Sequence, residues 1–317
     1  METPRLAIVV PCYKEEAVLH ETTKRLTEVL DNLVEKGLTA PNSFILYVND
    51  GSKDQTWPII SALHKENKYV CGVNLACNTG HQNALVAGLT VAVKEADIMV
   101  SIDADLQDDV NAIKIMVQKY HEGCDIVYGV RNKRVTDTVF KRTTALGFYK
   151  LMHFMGIKSV YNHADYRLMS RRAVEYLLQF PERNLFLRGL VPLIGYQTDC
   201  VYYDRAERFA GESKYPLSKM MSFAFDGITS FSTKPIHFLL YIGMVFILIA
   251  MAIGVWAIYE KLTGNTVTGW TSMIVSLWFI GGSLMLAIGI VGEYVGKNYV
   301  EVKRRPRFNI ETTLMKD

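Results

Sequence analysis

Hydrophobic positions change their period along this chain. Up to Val130, short apolar runs alternate with stretches of helical spacing. Leu6–Tyr13, "LAIVVPCY", is rich in β-branched residues and reads as a strand. After it Val18, Leu19, Leu26, Val29, Leu30, Leu33 and Val34 fall on one face of a helix. "FILYV" (44–48) is a second strand, closed by the turn-rich "NDGSKD". "VCGVNL" (70–75) and "DIMVSI" (97–102) follow, with a helical stretch from about Gln82 to Lys94 between them, and "DIVYGV" (125–130) is a fifth strand. Strands alternating with helices predict an α/β domain, its mostly parallel sheet covered on both faces. Ligands of such sheets bind at the carboxyl ends of the strands.

Further on the pattern becomes uniformly apolar. Ile236–Tyr259 and Gly269–Gly292 are each 24 residues without a formal charge. At 1.5 Å per residue each helix reaches about 36 Å, enough to cross a hydrocarbon core of roughly 30 Å. The connector "EKLTGNTVTG" is short, so the spans predict an antiparallel hairpin. Lys234 precedes it, "KRRPR" (303–307) follows it, and the connector holds only Lys261, which puts both ends on the cytoplasmic side of a cell membrane. Just before the hairpin, in "PLSKMMSFAFDGITSF" (216–231), Leu217, Met220, Met221, Ala224, Ile228 and Phe231 share a helical face. Either a core helix or a helix lying in the membrane interface would show it, and the position beside a span favours the interface. The expected layout is a domain over 1–215, an interfacial segment over 216–234, a hairpin over 235–299 and a basic cytoplasmic tail over 300–317.

Composition adds exclusions. A net charge of +3 is too mild to argue for nucleic acid. Cys12, Cys71, Cys77, Cys124 and Cys200 form no C-x-x-C pair and are odd in number, which suits reduced structural thiols. No G-x-G-x-x-G follows the first strand and no G-K-[ST] occurs, so neither a dinucleotide fingerprint nor a P-loop is present. Gly281, Gly282 and Ser283 would permit close helix packing, which leaves homo-oligomerisation open.

The chemistry gathers in "SIDADLQDD", where Asp103, Asp105, Asp108 and Asp109 crowd after a strand with Gln107 among them. Carboxylates this close repel one another and call for a cation. Open oxygen ligands suit Mg²⁺ or Mn²⁺ on the phosphates of a nucleotide. A solvated turn or a helix cap would also use such residues, and Asp108 or Asp109 is placed to cap a helix from about Val110. Two other strand ends supply company. "VNDGSKDQT" puts Asp50 where a carboxylate could accept the N3–H of uracil, and "VVPCYKEE" puts Pro11, Tyr13 and Glu15 near the same crevice.

"VVPCYKEE", "VNDGSKDQT", "NTGHQNALVAGL", "SIDADLQDD", "ADYRLMSRRAV", "LFLRGL" and "RFAGESKYPLSKM" occur in this order before the two spans. The set resembles the polyprenyl-phosphate glycosyltransferases of glycosyltransferase family 2, the bactoprenol glucosyltransferase and dolichyl-phosphate mannose synthase group. That resemblance implies a GT-A fold, a nucleotide-sugar donor, a divalent metal and a lipid-phosphate acceptor. It assigns Asp103, Asp105 and Gln107 to metal and donor, with Ala104 between them, and Asp50 to the base. Lys14 stands where that family usually has Asn, and Asn49 where it usually has Asp. Both departures touch the base-and-ribose end and leave the donor open, with UDP-glucose ahead of UDP-N-acetylglucosamine and GDP-mannose.

A lipid monophosphate has a second pKa near 6, so it is largely ionised at neutral pH and needs no strong base. What it needs is positive charge and alignment. Arg131, at a strand end, is the leading candidate, with Lys141, Arg142, Arg205, Arg208, Ser213 and Lys214 beside it; Arg208 and Lys214 flank Gly211–Ser213, which resembles the family's mobile loop over the donor. Asp165 matches the family position proposed as base, and the acceptor's acidity favours a positioning role for it. Arg167 is expected to pair inside the domain, and His81 and His163 to be structural. Direct displacement would invert the anomeric centre. The rivals are a processive polysaccharide synthase, whose Q-x-x-R-W motif is missing, and an inactive membrane scaffold.

Overall fold

The computed structural model describes residues 3–132, 163–204, 206, 234–263 and 269–316. Strands β1 (Leu6–Cys12), β2 (Phe44–Asn49), β3 (Val70–Leu75) and β4 (Ile98–Ser101) pair in parallel as β4-β1-β2-β3. Every residue of β1, β2 and β4 is buried. That burial on both faces is why these strands read as continuous apolar runs rather than alternating ones. Leu6, Ile8 and Val10 pack on one face with α1 (Leu19–Glu35) and α4 (Ala112–His121). Ala7 and Val9 pack on the other with α3 (His81–Ala92). There α3 approaches closely: a Cβ on Gly88 would stand 2.5 Å from Val9 Cγ1 and 2.7 Å from Val48 Cγ2. Helix α2 is Thr56–Glu66.

Three further strands extend this core: β5, which the sequence reading expected over 125–130, and two that it did not contain. β5 (Ile126–Arg131) and β6 (His163–Ser170) are antiparallel, and β6 also lies antiparallel to β4, so β6 is wedged between them. β7 (Thr198–Tyr203) adds in parallel outside β5. Between β6 and β7 come α5 (Arg171–Leu178), the single turn α6 (Leu187–Leu190) and a 3₁₀ turn.

Helices α7 (Lys234–Leu262) and α8 (Trp270–Lys303) have 29 and 34 residues and are long and apolar enough to cross a membrane. Large side chains along them, such as Leu248, Val255, Leu277 and Leu286, are exposed, as suits contact with lipid. The second helix runs past the expected end at Gly292 to Lys303.

The expectation of a basic tail after residue 300 is corrected. Ile310–Leu314 forms β8, antiparallel to β3, and completes the order β7-β5-β6-β4-β1-β2-β3-β8. Without it β3 would be an open edge, and a covered edge is protected from stray pairing. The proposed interfacial segment over 216–231 lies outside the described residues.

Candidate active site

The acid loop begins where β4 ends, at Ser101. Its backbone is pinned from outside at several points. Thr22 of α1 donates from Oγ1 to the carbonyl of Ala104 at 2.9 Å, between the two aspartates. Ala206 donates its N–H to the carbonyl of Gln107 at 2.9 Å. Within the loop Gln107 N donates to Asp105 Oδ1 at 3.2 Å, across Leu106 at φ +57°. A branched side chain in that left-handed region is uncommon and marks a backbone held by its surroundings.

Asp103 sits 3.6 Å from His81 Nε2, at the start of α3. Burial raises its pKa; His81 opposes that, while Asp108, Asp165 and Asp105 add to it by repulsion. His81, expected as a structural imidazole, therefore belongs to the acid cluster. Among the described residues no three His, Cys, Asp or Glu side chains form a metal cage on their own. Mg²⁺ needs no such cage, since it usually takes one or two carboxylates and completes its shell with substrate phosphates and water. The repulsion that Asp103 meets from Asp108, Asp165 and Asp105 is an excess of negative charge that a divalent cation would relieve.

Of the two residues expected to cap a helix from about Val110, Asp109 caps the turn that leads into it and Asp108 does not. Helix α4 starts at Ala112, and Asn111 before it makes no side-chain cap bond. Asp109 Oδ1 accepts from Asn111 N at 2.9 Å. Asp108, 3% exposed, accepts from Arg131 Nη2 at 3.1 Å, from Arg131 Nε at 3.2 Å and from the Tyr203 hydroxyl at 2.7 Å. Arg131 is thus engaged by a buried carboxylate, which its expected phosphate role did not include. Beside this pair, a cavity of about 390 Å³ is lined by Arg25, Glu28, Asp108, Asp109, Lys114 and Asp204 and includes neither Asp103 nor Asp105.

Strand β6 brings Asp165 to the cluster, because Ser101 Oγ donates to the Asp165 carbonyl at 2.6 Å. The Asp165 carboxylate is clasped by arginines: Arg167 Nη2 at 2.6 Å on Oδ1 and Arg188 Nη2 at 3.1 Å on Oδ2. Burial alone would raise its pKa, but Arg188 first and Arg167 next outweigh that and hold the carboxyl far below its usual range. Arg167 pairs inside the domain as expected, at 1% exposure. Arg188 was present in "LFLRGL" without an assigned role. Only the meeting of α6 with β6 reveals it.

At the opposite end, Asp50 is 2% exposed, and its oxygens accept from Thr79 N at 2.7 Å, Thr79 Oγ1 at 3.1 Å and Gly80 N at 3.0 Å. The carboxylate fastens the turn that launches α3, a role that the sequence reading did not include. Gly51 is required beside it: at φ +59°, a Cβ there would lie 2.5 Å from the backbone of Cys77 and Asn78. Asn49 Nδ2 donates to Asn74 Oδ1, and Asn74 Nδ2 to Glu311 of β8, both at 2.7 Å. Pro11 is buried in β1, while Tyr13 is exposed with the Lys14 ammonium 5.5 Å from its ring centre. Glu15 N donates to Thr56 Oγ1 at 3.1 Å. Lys141, Arg142, Arg205, Arg208, Ser213 and Lys214 lie outside the described residues.

Comparison with known proteins gives a match to the model of "Glycosyl transferase family 2" over residues 7–178. The chain is 56% identical over 311 residues to the uncharacterized glycosyltransferase YkoT of Bacillus subtilis, covering 98% of this chain and 92% of that one. It is 40% identical over 317 residues to the bactoprenol glucosyl transferase of Shigella phage SfV, covering 98% of this chain and all (100%) of that one. Among solved structures, the mannosyltransferase PcManGT from Pyrobaculum calidifontis in complex with GDP-Man and Mn²⁺ is 15% identical, with 94% of this chain and 85% of that one covered and a TM-score of 0.47. A likeness at that level carries no weight for the ligands of this chain.

Proposed function

Since this chain belongs to glycosyl transferase family 2, we propose that it moves one glucose from UDP-glucose to a polyprenyl phosphate at the cytoplasmic face of a cell membrane, with inversion at the anomeric carbon. The observation that carries this reading is the state of Asp165. A sugar hydroxyl acceptor would need a base to remove its proton. The carboxylate at the expected base position is instead an arginine-bound anion, fastened by Arg167 and Arg188. That arrangement suits an acceptor that arrives ionised, as a lipid monophosphate does. The name bactoprenol glucosyl transferase borne by a relative along nearly its whole length supports the same acceptor and sugar.

Mg²⁺ or Mn²⁺ held by Asp103 and Asp105 would supply positive charge to the departing diphosphate. The chain's own residues set the geometry. Thr22 and Ala206 fix the acid loop, Ser101 fixes β6 beside it, and Asp165 orients Arg188 toward the acceptor side. Arg188 is the group proposed to hold the acceptor phosphate, in a geometry that needs no reorganisation during transfer. Connectivity supports the membrane placement. β8 follows α8 and joins the sheet that holds β1, so both ends of the hairpin lie on one side. The positive charge of Lys234 and of the run from Lys303 to Arg307 supports a cytoplasmic location for that side.

The test is transfer of radiolabelled glucose from UDP-glucose to undecaprenyl phosphate by the full-length protein with Mn²⁺ or Mg²⁺. One labelled glucose per lipid, extractable into organic solvent, is the expected product. A long polymer would indicate a processive synthase, and donor binding without transfer an inactive scaffold. Either would overturn the proposal.

A further inference from the structure

We propose that Glu301, near the end of α8, is a positioning residue that joins the membrane anchor to Arg188 in the site. The inference rests on the functional reading above. Glu301 lies in the last turns of a long helix, where the helix dipole favours cations and disfavours a carboxylate. Its compensation is tertiary. Oε1 accepts from Asn184 N and Asn184 Nδ2, both at 2.8 Å, and Oε2 accepts from Arg183 N at 2.8 Å. Two consecutive backbone N–H groups of a partly buried loop are thereby satisfied by one side chain from the membrane helix.

The same loop is held from its other flank. Arg307, four residues beyond the end of α8, donates from Nη2 to the carbonyl of Glu182 at 2.8 Å and also to that of Phe180. Arg183 Nη2 reaches the carbonyl of Arg304 at 3.3 Å. Immediately after Asn184 the chain buries Phe186 and Leu187 and enters α6. Leu187 N donates to Gln82 Oε1 at 2.8 Å, and Gln82 adjoins His81, which faces Asp103. Arg188 comes next and meets Asp165. The loop therefore has one anchor on the membrane helix, one on α3 and one at the site, all within a few residues. Moving the first shifts Arg188 relative to a phosphate held at the bilayer surface, and small misplacements of a positioning group cost rate steeply.

The test uses the full-length protein in lipid nanodiscs. Backbone hydrogen exchange is followed over 180–190, with kcat and KM for undecaprenyl phosphate at saturating UDP-glucose. In Glu301→Gln the exchange protection of the Arg183 and Asn184 amides should fall and kcat should drop roughly ten- to a hundredfold, with UDP-glucose affinity within about twofold of wild type. In an Arg188→Ala background the same change should lower kcat no further, because both act through one group. Glu301→Asp, which keeps the charge on a shorter arm, should recover part of the loss. Unchanged exchange in Glu301→Gln overturns the tether, and full additivity with Arg188→Ala overturns its route through Arg188. If wild type transfers no sugar to the lipid, the functional reading fails, yet the exchange data still decide the tether.

Discussion

Arg188 Nη2 lies 3.1 Å from Asp165 Oδ2, on the opposite oxygen from Arg167. The pair joins the short helix α6 to a strand wedged beside the acid loop. Two arginines on one carboxylate fix its charge and its direction together, and bidentate or shared arginine contacts are among the stronger hydrogen bonds proteins form.

This relationship predicts a specific pH behaviour. Because the folded pKa of Asp165 is depressed, its contribution to stability is complete above the unfolded value of about 3.9 and is lost only as pH falls through the folded value. The stability gap between wild type and Asp165→Asn should therefore be constant from about pH 5 to pH 8 and narrow below about pH 4. Turnover of Asp165→Asn should fall by roughly one to two orders of magnitude through misplacement of Arg188. Thermal unfolding across pH and steady-state transfer assays check the two statements. A gap that closed near neutrality would mean that Asp165 exchanges its proton there, as a base would.

Arg131 makes a contrasting prediction. Its partner Asp108 has a side chain only 1% exposed, so removing the guanidinium strands a buried charge. Such a loss typically costs about 3–5 kcal/mol. Arg131→Ala should unfold at a clearly lower temperature than wild type, whereas Arg131→Lys should lose less. Thermal unfolding of the detergent-solubilised protein separates this structural effect from loss of phosphate binding.

The acid loop predicts metal dependence. Asp105→Ala should lower glucose transfer by roughly a hundredfold or more, and EDTA should do the same to wild type, reversed by added Mn²⁺ or Mg²⁺. The unfolding temperature of Asp105→Ala should change little, since loss of the acceptor for Gln107 N is offset by relief of repulsion on Asp103. Chelator-insensitive transfer would remove the metal from the account.

The parts of the fold that were legible are those whose burial is visible in composition. β1, β2 and β4 are apolar runs because both faces are covered, and α1 shows its stripe through Leu19, Leu26, Leu30 and Leu33. β6 was hidden because "HADYRLMS" carries Asp165 and Arg167 within a sheet. Their charges are compatible with burial only because they pair with each other and with Arg188, and pairing leaves no mark on hydropathy. β8 was hidden behind a basic run, and its place beside β3 depends on a return across the whole hairpin. In the site, the crowding of Asp103, Asp105 and Asp108 was plain. The separate partners of Asp108 and Asp103 were not, since Tyr203 and His81 lie far from them in sequence. The bonds of Asp50 to Thr79 and Gly80 were hidden for the same reason: a carboxylate after a strand looks alike whether or not it fastens a distant turn.

Lys14 carries the last prediction. It has φ +57°, in the left-handed region where Asn is several-fold enriched and a long side chain gains nothing. Its backbone is held there because Lys14 N donates to Ser52 Oγ at 3.0 Å, tying the end of β1 to the turn after β2. Residues kept in such conformations store of order 1 kcal/mol or more. Lys14→Asn leaves that backbone bond in place and suits the conformation better, so it should stabilise the protein by about 0.5–1 kcal/mol, measured as a rise in unfolding temperature. The ammonium over the Tyr13 ring is an exposed cation–π contact, and its loss offsets part of this gain. If Lys14 also helps to hold the donor, the same variant should raise KM for UDP-glucose while its unfolding temperature still increases. A variant that lost stability would show instead that the Tyr13 contact outweighs the backbone conformation.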